Sequence, residues 1–236
     1  MARSSLNILL TGSSRGIGAA VLASLHGHNV VGHSTRGGEG AVAADLSDPD
    51  QVNALWREAL SRLGGRIDVL INNAGIFEAT PIEQADADWL SGWERTMQVN
   101  LTASAALCRL AVLHFRENGG GRIVNVASRA AYRGDSPQHW HYAASKAGMI
   151  GMTKTIARGY AGENILAFAV CPGFTMTGMA EDYVASRGGD KLLADIPLGR
   201  VASAEEVAET VRWLAVDAPA SATGAIIDVN GASFVR

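Results

Sequence analysis

The chain has 236 residues, of which 47 % are hydrophobic and 18 % charged, and its formal net charge is −3. This composition predicts one compact domain with a sizeable buried core rather than a disordered chain. The near-neutral charge and the scattered basic residues favour neither nucleic acid nor an anionic membrane as a partner. Neither a membrane span nor a secretory leader is recognisable, so we expect a cytoplasmic protein.

Short apolar runs alternate with longer amphipathic segments along the chain. The apolar runs predict strands near 6–12, 29–33, 40–46, 68–75, 122–128, 165–173 and 225–231. They are continuous rather than alternating, which is typical of strands covered on both faces. The segments between them predict helices at 16–27, 49–63, 88–117, 140–161 and 203–216. This alternation predicts a single doubly wound α/β domain over 1–236, with a parallel sheet of about seven strands flanked by helices.

Three features bear on lids and metals. The stretch 173–202 is the least regular part of the sequence, and we expect a mobile lid over a site there. Cys108 and Cys171 lack paired spacing, which favours two buried free thiols over a disulfide or a zinc site. His139 and His141 stand two apart without a carboxylate partner, so we expect no metal.

The glycine-rich turn "TGSSRGIG" (11–18) closes the first predicted strand and opens the first predicted helix. Gly12 permits a tight turn, Gly16 lets the backbone approach a diphosphate, and Gly18 lets the helix lie close to the sheet. The helix N-terminus presents free N–H groups and a positive dipole end to an anion. In this strand–turn–helix context the glycines predict a dinucleotide site.

The end of the second predicted strand bears on the charge of the cofactor. A carboxylate there would hydrogen-bond a ribose 2′-hydroxyl and repel a 2′-phosphate. This chain has Ser34, Thr35 and Arg36 instead, and no acid until Glu39. Arg15 offers a second guanidinium, and arginine pairs well with phosphate. The sequence therefore favours NADP(H), while NAD(H) stays open if both arginines are solvated loop residues.

Several motifs in one order carry a family resemblance. They are the glycine turn, "NNAG" (72–75), Asn100, Ser128, "YAASK" (142–146) and "CPGFTMTGM" (171–179). With them, the chain resembles the short-chain dehydrogenase/reductase family from about residue 6 to 231. The style is closest to bacterial 3-oxoacyl-acyl-carrier-protein reductases, as in "IPLGRVASAEEVAETVRWLA" (196–215). The resemblance implies a Rossmann fold and an oxidoreductase that acts on CH–OH groups with NAD(P).

The resemblance also implies four catalytic residues. Tyr142 is similar to the catalytic acid/base of the family, and Ser128 to the residue that hydrogen-bonds the reacting oxygen. Lys146 matches the residue that holds the nicotinamide ribose and lowers the tyrosine pKa, and Asn100 one that supports a water-linked proton relay. The chemistry agrees, because a tyrosine of pKa about 10 is a poor base at neutral pH. An ammonium one helical turn away stabilises its phenolate.

Cofactor contacts follow from the same resemblance. Asp45 matches an adenine contact, and Thr177 matches the threonine that reaches the nicotinamide carboxamide. The expected cofactor-binding set is Gly12, Ser14, Arg15, Gly16, Ile17, Gly18, Ser34, Thr35, Arg36, Asp45, Leu46, Asn73, Ala74, Gly75, Asn100, Tyr142, Lys146, Pro172, Gly173, Thr175 and Thr177.

Substrate residues are sought beside Ser128 and Tyr142. Arg129 or Arg133 could clamp a carboxylate, and Trp140 could pack a small apolar or ring substrate. The alternative, which the sequence favours, is that these residues and the rest of "PQHWH" (137–141) face solvent or a neighbouring subunit. Where carrier-protein reductases have basic docking residues, this chain has Gly119 and Glu163, which disfavours an acyl-carrier-protein partner.

The leading hypothesis is an NADP(H)-dependent reductase of a small ketone or aldehyde, with 3-oxoacyl compounds among the candidates. The alternatives are NAD(H)-dependent oxidation of an alcohol, sugar or hydroxy acid, and a non-catalytic nucleotide-binding regulator on the same fold. The segments 88–117 and 140–161 carry more apolar surface than one sheet face covers. We therefore expect a homo-oligomer, a dimer or a tetramer.

Overall fold

A computed structural model describes residues 5–176 and 193–236. Its strands are β1 (Asn7–Leu10), β2 (Asn29–Ser34), β3 (Ala41–Ala43), β4 (Val69–Asn72), β5 (Gly121–Val126), β6 (Ile165–Pro172), β7 (Thr175–Met176), β8 (Ala202–Ser203) and β9 (Ile226–Val229). Its helices are α1 (Gly16–Ser24), α2 (Pro49–Arg62), α3 (Asp86–Met97), α4 (Ala103–Glu117), α5 (Ala130–Arg133), α6 (Trp140–Tyr160) and α7 (Ala204–Arg212).

Seven parallel strands form the main sheet, in the order β3-β2-β1-β4-β5-β6-β9. Successive residues of each strand point to opposite faces, and both faces are covered, which explains the continuous apolar runs. Leu9 packs with the layer of α2, α4 and α6, while Ile8 and Leu10 pack with the layer of α1 and α7. The doubly wound α/β prediction is confirmed.

The strand order places a crevice at one edge of the sheet. β1 lies between β2 and β4, so the chain winds outward from this point in both directions. Ligands of open α/β sheets bind beyond the carboxyl ends of the strands at such a switch point. The glycine turn follows β1 and the "NNAG" motif closes β4, so both lie at this edge.

Two predicted helices end differently in the structure. The expected helix 88–117 is divided into α3 and α4 by a wider turn over Gln98–Thr102, in which the N–H of Ala103 bonds the carbonyl of Gln98. The expected helix 203–216 ends at Arg212, and a second wide turn follows over Trp213–Asp217. Turns with this i→i+5 bonding are rare and occur frequently at functional sites.

The predicted lid falls largely outside the described residues, because 177–192 are not among them. Its two flanks are described, and β7 and β8 pair in parallel there, with Thr175 opposite Ala202 and Met176 opposite Ser203. Cys108 and Cys171 are both buried free thiols, as predicted. Among the described residues, no helix is long and apolar enough to cross a membrane.

Candidate active site

The glycine turn has the geometry that only glycine permits. Gly12 and Gly16 have φ of 69° and 55°, in the left-handed region where other residues are strained. A Cβ on Gly18 would lie 1.9 Å from the carbonyl oxygen of Gly12, and one on Gly12 would lie 2.8 Å from the Cα of Ala74. The first turn of α1 therefore lies directly against the end of β1, with its N–H groups at the crevice.

Two polar side chains, one in the turn and one just after β4, join this turn to the neighbouring strand. The Thr11 hydroxyl accepts the N–H groups of Asn73 at 3.0 Å and Ala74 at 3.1 Å. The Asn73 amide donates to the carbonyls of Thr11 at 3.1 Å and Gly12 at 3.0 Å. Asn73 thus positions the turn rather than pointing into open space. A tight, preorganised backbone cradle of this kind fits the diphosphate of a dinucleotide.

A buried histidine, which the sequence analysis missed, also supports the turn. The N–H of Gly12 donates to His33 Nδ1 at 3.2 Å, and His33 Nε2 lies 3.0 Å from the carbonyl of Ala44. These partners assign the neutral tautomer with the proton on Nε2. Burial lowers the pKa of His33, which keeps the ring neutral. Its sequence signal is a polar residue directly after the apolar run "VVG" within β2.

The edge beside this turn carries the predicted arginines. The N–H of Ser13 donates to the carbonyl of His33 at 2.9 Å, and the N–H of His33 donates to the Ser13 hydroxyl at 3.1 Å. The glycine turn and the end of β2 are therefore adjacent. The Ser34 hydroxyl donates to the carbonyl of Gly37 at 2.9 Å and closes a tight turn. Arg15 and Arg36 are both exposed. Neither forms an ion pair with any other described residue, so both guanidiniums are free to meet a ligand.

The candidate catalytic residues come together at the next part of the edge. Tyr142 and Lys146 lie one turn apart near the start of α6, and Ser128 follows β5. The hydroxyl of Ser128 acts on that of Tyr142 and lowers the pKa of the phenol. It also accepts the N–H of Ala130 at 3.1 Å, which fixes its orientation. The hydroxyl groups of Ser128 and Tyr142 therefore lie at the same point in the crevice.

Burial sets the charges of this pair. Burial raises the pKa of Tyr142 to about 12, against a lowering effect of the Ser128 hydrogen bond. Burial also lowers the pKa of Lys146 to about 8. The lysine side chain is only 4 % exposed and its Nζ donates to the carbonyl of Val126 at 2.8 Å. Nζ lies 5.8 Å from the centre of the Tyr142 ring. At neutral pH the site therefore holds a protonated phenol beside an ammonium.

Asn100 lies in the wide turn between α3 and α4. Its Oδ1 accepts the N–H of Ile76 at 2.8 Å, and its Nδ2 donates to the carbonyl of Ile76 at 3.0 Å. Nδ2 also lies 3.4 Å from the hydroxyl of Ser145 on α6. A Cβ on Gly75 would lie 3.3 Å from Asn100 Oδ1 and 3.5 Å from Lys146 Nζ. The asparagine thus ties the loop after β4 to the catalytic helix.

A buried row of polar groups fixes α6 on the sheet. Asn72 donates to Asn125 Oδ1 at 2.9 Å, and Asn125 donates to the Thr153 hydroxyl at 2.8 Å. Thr153 in turn donates to the carbonyl of Met149 at 2.8 Å. The row joins β4, β5 and α6 in sequence. Because buried polar groups must find partners, it specifies the register of α6 and hence the positions of the catalytic side chains.

Aromatic rings form one wall of the site. Phe77 stacks on His139 with centres 3.9 Å apart and meets Tyr142 edge-on at 4.8 Å. His141 lies 2.8 Å from the Thr80 hydroxyl. The expectation that "PQHWH" faces solvent or a neighbour is wrong for both histidines, which are buried against the loop after β4. In the described part of the chain no group of three or more metal-ligating side chains occurs.

The predicted substrate residues divide into two environments. Trp140 is 54 % exposed and borders a shallow groove with Ile82 and Trp89. Arg133 Nη1 binds Asp195 Oδ2 at 2.5 Å and the carbonyl of Ser233 at 3.3 Å. The side chain of Arg129 is only 13 % exposed, with Nη1 3.6 Å from the same Asp195 oxygen. The expectation of a solvent-facing residue is therefore wrong for Arg129.

The other predicted cofactor residues lie along the same edge. Asp45 follows β3, and its Oδ1 accepts from the backbone N–H and the hydroxyl of Ser47 at 2.9 and 2.7 Å. Pro172 ends β6, and a Cβ on Gly173 would lie 2.8 Å from the Cα of Asn230. The Thr175 hydroxyl donates to the carbonyl of Gly173 at 3.2 Å. Thr177 lies outside the described residues. Ser14 is exposed in the glycine turn, Ile17 is half-buried in the first turn of α1, and Leu46 is buried after β3.

Together, a dinucleotide cradle and a serine–tyrosine–lysine site at one sheet edge define an oxidoreductase that uses a nicotinamide dinucleotide. A family profile described as "Enoyl-(Acyl carrier protein) reductase" matches residues 14–232. The chain belongs to the short-chain dehydrogenase/reductase family.

Relatives with several different names match most of the chain. It is 38 % identical to the 3-oxoacyl-[acyl-carrier-protein] reductase of Synechocystis sp., over 94 % of each chain. It is 37 % identical to nodulation protein G of Rhizobium sp., again over 94 % of each. It is 31 % identical to the D-threitol dehydrogenase of Mycolicibacterium smegmatis, over 97 % of this chain and 92 % of the relative.

Proposed function

We propose that the protein is an NADP(H)-dependent reductase of a small ketone or aldehyde. The observation that carries the proposal is the half-buried Tyr142 beside the buried Lys146, whose Nζ lies 5.8 Å from the centre of the phenol ring, with Ser128 acting on the phenol. A non-catalytic regulator has no use for a phenol and an ammonium side by side in a site that disfavours the charged form of each. Groups with such opposed shifts are typical of acid–base sites.

The residues divide the work of carbonyl reduction. Ser128 donates a hydrogen bond to the carbonyl oxygen and polarises it. A reduced nicotinamide dinucleotide, held by its diphosphate in the cradle, would supply the hydride for the carbonyl carbon. Tyr142 gives its proton to the oxygen, so the product is an alcohol and the residue is left as a phenolate. The ammonium of Lys146 stabilises that phenolate until solvent returns a proton.

The preference for a 2′-phosphate is supported by the free edge beside β2. Arg15 and Arg36 are exposed and lie on the two segments, the glycine turn and the end of β2, that the Ser13–His33 hydrogen bonds bring together. No carboxylate occupies positions 34 to 38. Two guanidiniums without ion-pair partners among the described residues suit a phosphate dianion, which an arginine binds through paired hydrogen bonds.

The cofactor arm of the test compares the binding of NADPH and NADH by tryptophan fluorescence. We expect NADPH to bind at least about tenfold more tightly, a difference of about 1.4 kcal/mol. Arg36→Ala should lose that preference, whereas Arg57→Ala, at an exposed arginine on α2, should keep it. Equal affinity for the two cofactors in the unaltered protein would refute the NADP(H) assignment.

The catalytic arm follows NADPH oxidation with a panel of ketones and aldehydes. Tyr142→Phe should lower kcat by about 10²–10⁴, since it removes the general acid, while cofactor binding survives. Tyr160→Phe, at the far end of the same helix, is the matched control and should turn over normally. Unchanged turnover in Tyr142→Phe would refute the mechanism.

A small free substrate is favoured over one bound to an acidic carrier protein. Arg116 stands near the positions of Gly119 and Glu163, and its guanidinium is bound by Glu163 at 2.6 and 2.8 Å. This pairing neutralises the nearest cation and leaves little attraction for an acidic partner.

We also propose a homo-oligomer, because Leu113 on α4 is a large apolar residue with 44 % exposure. Light scattering at micromolar concentration tests it, and a monomer would contradict it.

A further inference from the structure

The geometry points to Arg129 as a binding residue for a carboxylate on the substrate, a few bonds from the carbonyl that is reduced. The inference rests on the proposed reductase function and names the substrate class for the same site. The substrates are thus small oxo acids, and the products are the corresponding hydroxy acids.

The position of Arg129 is the first argument. It is the residue directly after Ser128, and its N–H donates to the carbonyl of Pro172 at 2.9 Å. Its backbone is thereby fixed at the edge where β5 and β6 end. Because consecutive Cα atoms are about 3.8 Å apart, the Arg129 side chain leaves the backbone beside the serine that polarises the substrate oxygen. A substrate held by both residues needs only a short spacer between its carbonyl and its anion.

The hydrogen bonding of the guanidinium is the second argument. Nη1 of Arg129 is buried and has no hydrogen-bond acceptor among the described residues. Asp195 Oδ2 is 3.6 Å from it, which is too long for a hydrogen bond, and that oxygen already binds Arg133 at 2.5 Å. Asp135 acts on Arg129 only as the weakest of the neighbouring charges. A desolvated cationic donor without an acceptor is costly unless a ligand supplies one.

The surroundings favour a carboxylate as that acceptor. Burial, and then the nearby Arg133, lower the pKa of Arg129, so its charge is poorly compensated. Asp195 itself shows that a carboxylate suits this pair of arginines. Asp195 is 48 % exposed, and its closest described cation is Arg133 at 2.5 Å. A planar carboxylate matches the fork of a guanidinium and can take two parallel bonds from it. Phe77, which meets the Tyr142 ring edge-on, offers an apolar wall to the carbon chain.

The test compares three oxo acids, pyruvate, acetoacetate and 4-oxopentanoate, with their neutral methyl esters. The unaltered protein should show a higher kcat/KM for at least one acid than for its ester. In Arg129→Gln the acid-to-ester ratio of kcat/KM should fall at least about 30-fold, since truncating one partner of a buried charge pair has effects of this size or more. Arg129→Lys should recover part of the ratio, and the loss should appear mainly in KM.

Asp195→Asn is the matched variant in the opposite direction. It removes the carboxylate that competes for the arginines while preserving the shape of the side chain, so the acid-to-ester ratio should rise. Because Asp195 is exposed, this variant keeps the inference testable even if Arg129→Gln does not fold. A thermal-shift series adds a readout that needs no turnover. With NADP⁺ present, the acids should raise the melting temperature of the unaltered protein more than the esters do.

The outcomes separate the two proposals. Equal kcat/KM for acids and esters, or an unchanged ratio in Arg129→Gln, overturns the carboxylate site and leaves the reductase intact. A ratio that falls in Asp195→Asn also overturns it. If no acid or ester oxidises NADPH and no other carbonyl does so, the reductase function fails, and the substrate class fails with it.

Discussion

Removal of the buried ammonium beside Tyr142 is the most informative perturbation of this site. Lys146→Met preserves the length and apolar stem of the side chain but deletes its charge. In the direction of alcohol oxidation, Tyr142 must act as a phenolate. We therefore expect the pH profile of kcat/KM to move to higher pH in this variant, because the phenolate loses its nearest cation.

The size of the shift follows from the distance between the two groups. Lys146 Nζ lies 5.8 Å from the centre of the Tyr142 ring. At an effective dielectric constant of about 20, Coulomb's law gives about 3 kcal/mol for this separation. One pKa unit corresponds to about 1.4 kcal/mol, so the apparent pKa should rise by about two units. At a fixed pH below both pKa values, the rate should fall about 100-fold.

The assay is NADP⁺-linked oxidation of a secondary alcohol, measured from pH 6 to 10 at saturating cofactor. Lys154→Met is the matched control, since Lys154 is an exposed lysine on the same helix, and its profile should coincide with that of the unaltered protein. Because pH 6 to 10 lies below the Tyr142 pKa of about 12, the profile of Lys146→Met should run parallel to that of the unaltered protein and about 100-fold below it, and a loss of less than about tenfold would refute the electrostatic reasoning. It would leave Lys146 with a role in binding alone.

Three further predictions concern the scaffold of the site. Gly18→Ala should weaken cofactor binding at least about tenfold, because its Cβ would lie 1.9 Å from a carbonyl oxygen. Gly151→Ala, whose Cβ would meet nothing within 4 Å, should bind the cofactor normally, and unaltered binding in Gly18→Ala would contradict the role of the glycine turn as the dinucleotide site. Burial lowers the folded-state pKa of His33, so the unfolded chain binds the proton more readily and the free energy of unfolding falls as the pH drops below 6.5. His33→Gln should make this fall smaller. Denaturant titrations at pH 5.5 and 7.5 measure the difference in free energy, and a difference equal to that of the unaltered protein counts against the prediction. Asn125→Val should lower the free energy of unfolding by about 1–3 kcal/mol, because it strands the buried donor of Asn72; thermal melts that match those of the unaltered protein would show that the polar row is dispensable.

The parts of the site that are continuous in sequence could be predicted well. The glycine turn and "YAASK" each place their functional groups through local backbone geometry, so spacing alone identifies them. The apolar runs gave the sheet because strands covered on both faces have no polar alternation. The resemblance then supplied Ser128 and Asn100, whose roles depend on neighbours distant in sequence.

The contacts that the sequence did not reveal are those between distant segments. Phe77 and His139 are 62 positions apart, yet their rings stack, and no local periodicity records that contact. The sequence predicted a solvent-facing loop residue at Arg129, because the burial of its side chain depends on packing against other segments at the sheet edge. His33 gave a weak signal, since one polar residue in a buried strand does not name its partner. The break in the helix at 98–102 was missed because the apolar pattern continues through it.

That break has a consequence for how the chain can tolerate changes in length. Successive residues of an α-helix are rotated by about 100° around its axis. The wide turn contains one residue more than a regular α-helical turn would hold. Deleting a single position within Gln98–Thr102 would let α3 and α4 join as one regular rod. The whole of α3 would then rotate around its axis, and Asn100 would no longer face Ile76. Surface connections in this fold can lengthen or shorten freely, but this one segment, although helical, should tolerate neither an insertion nor a deletion.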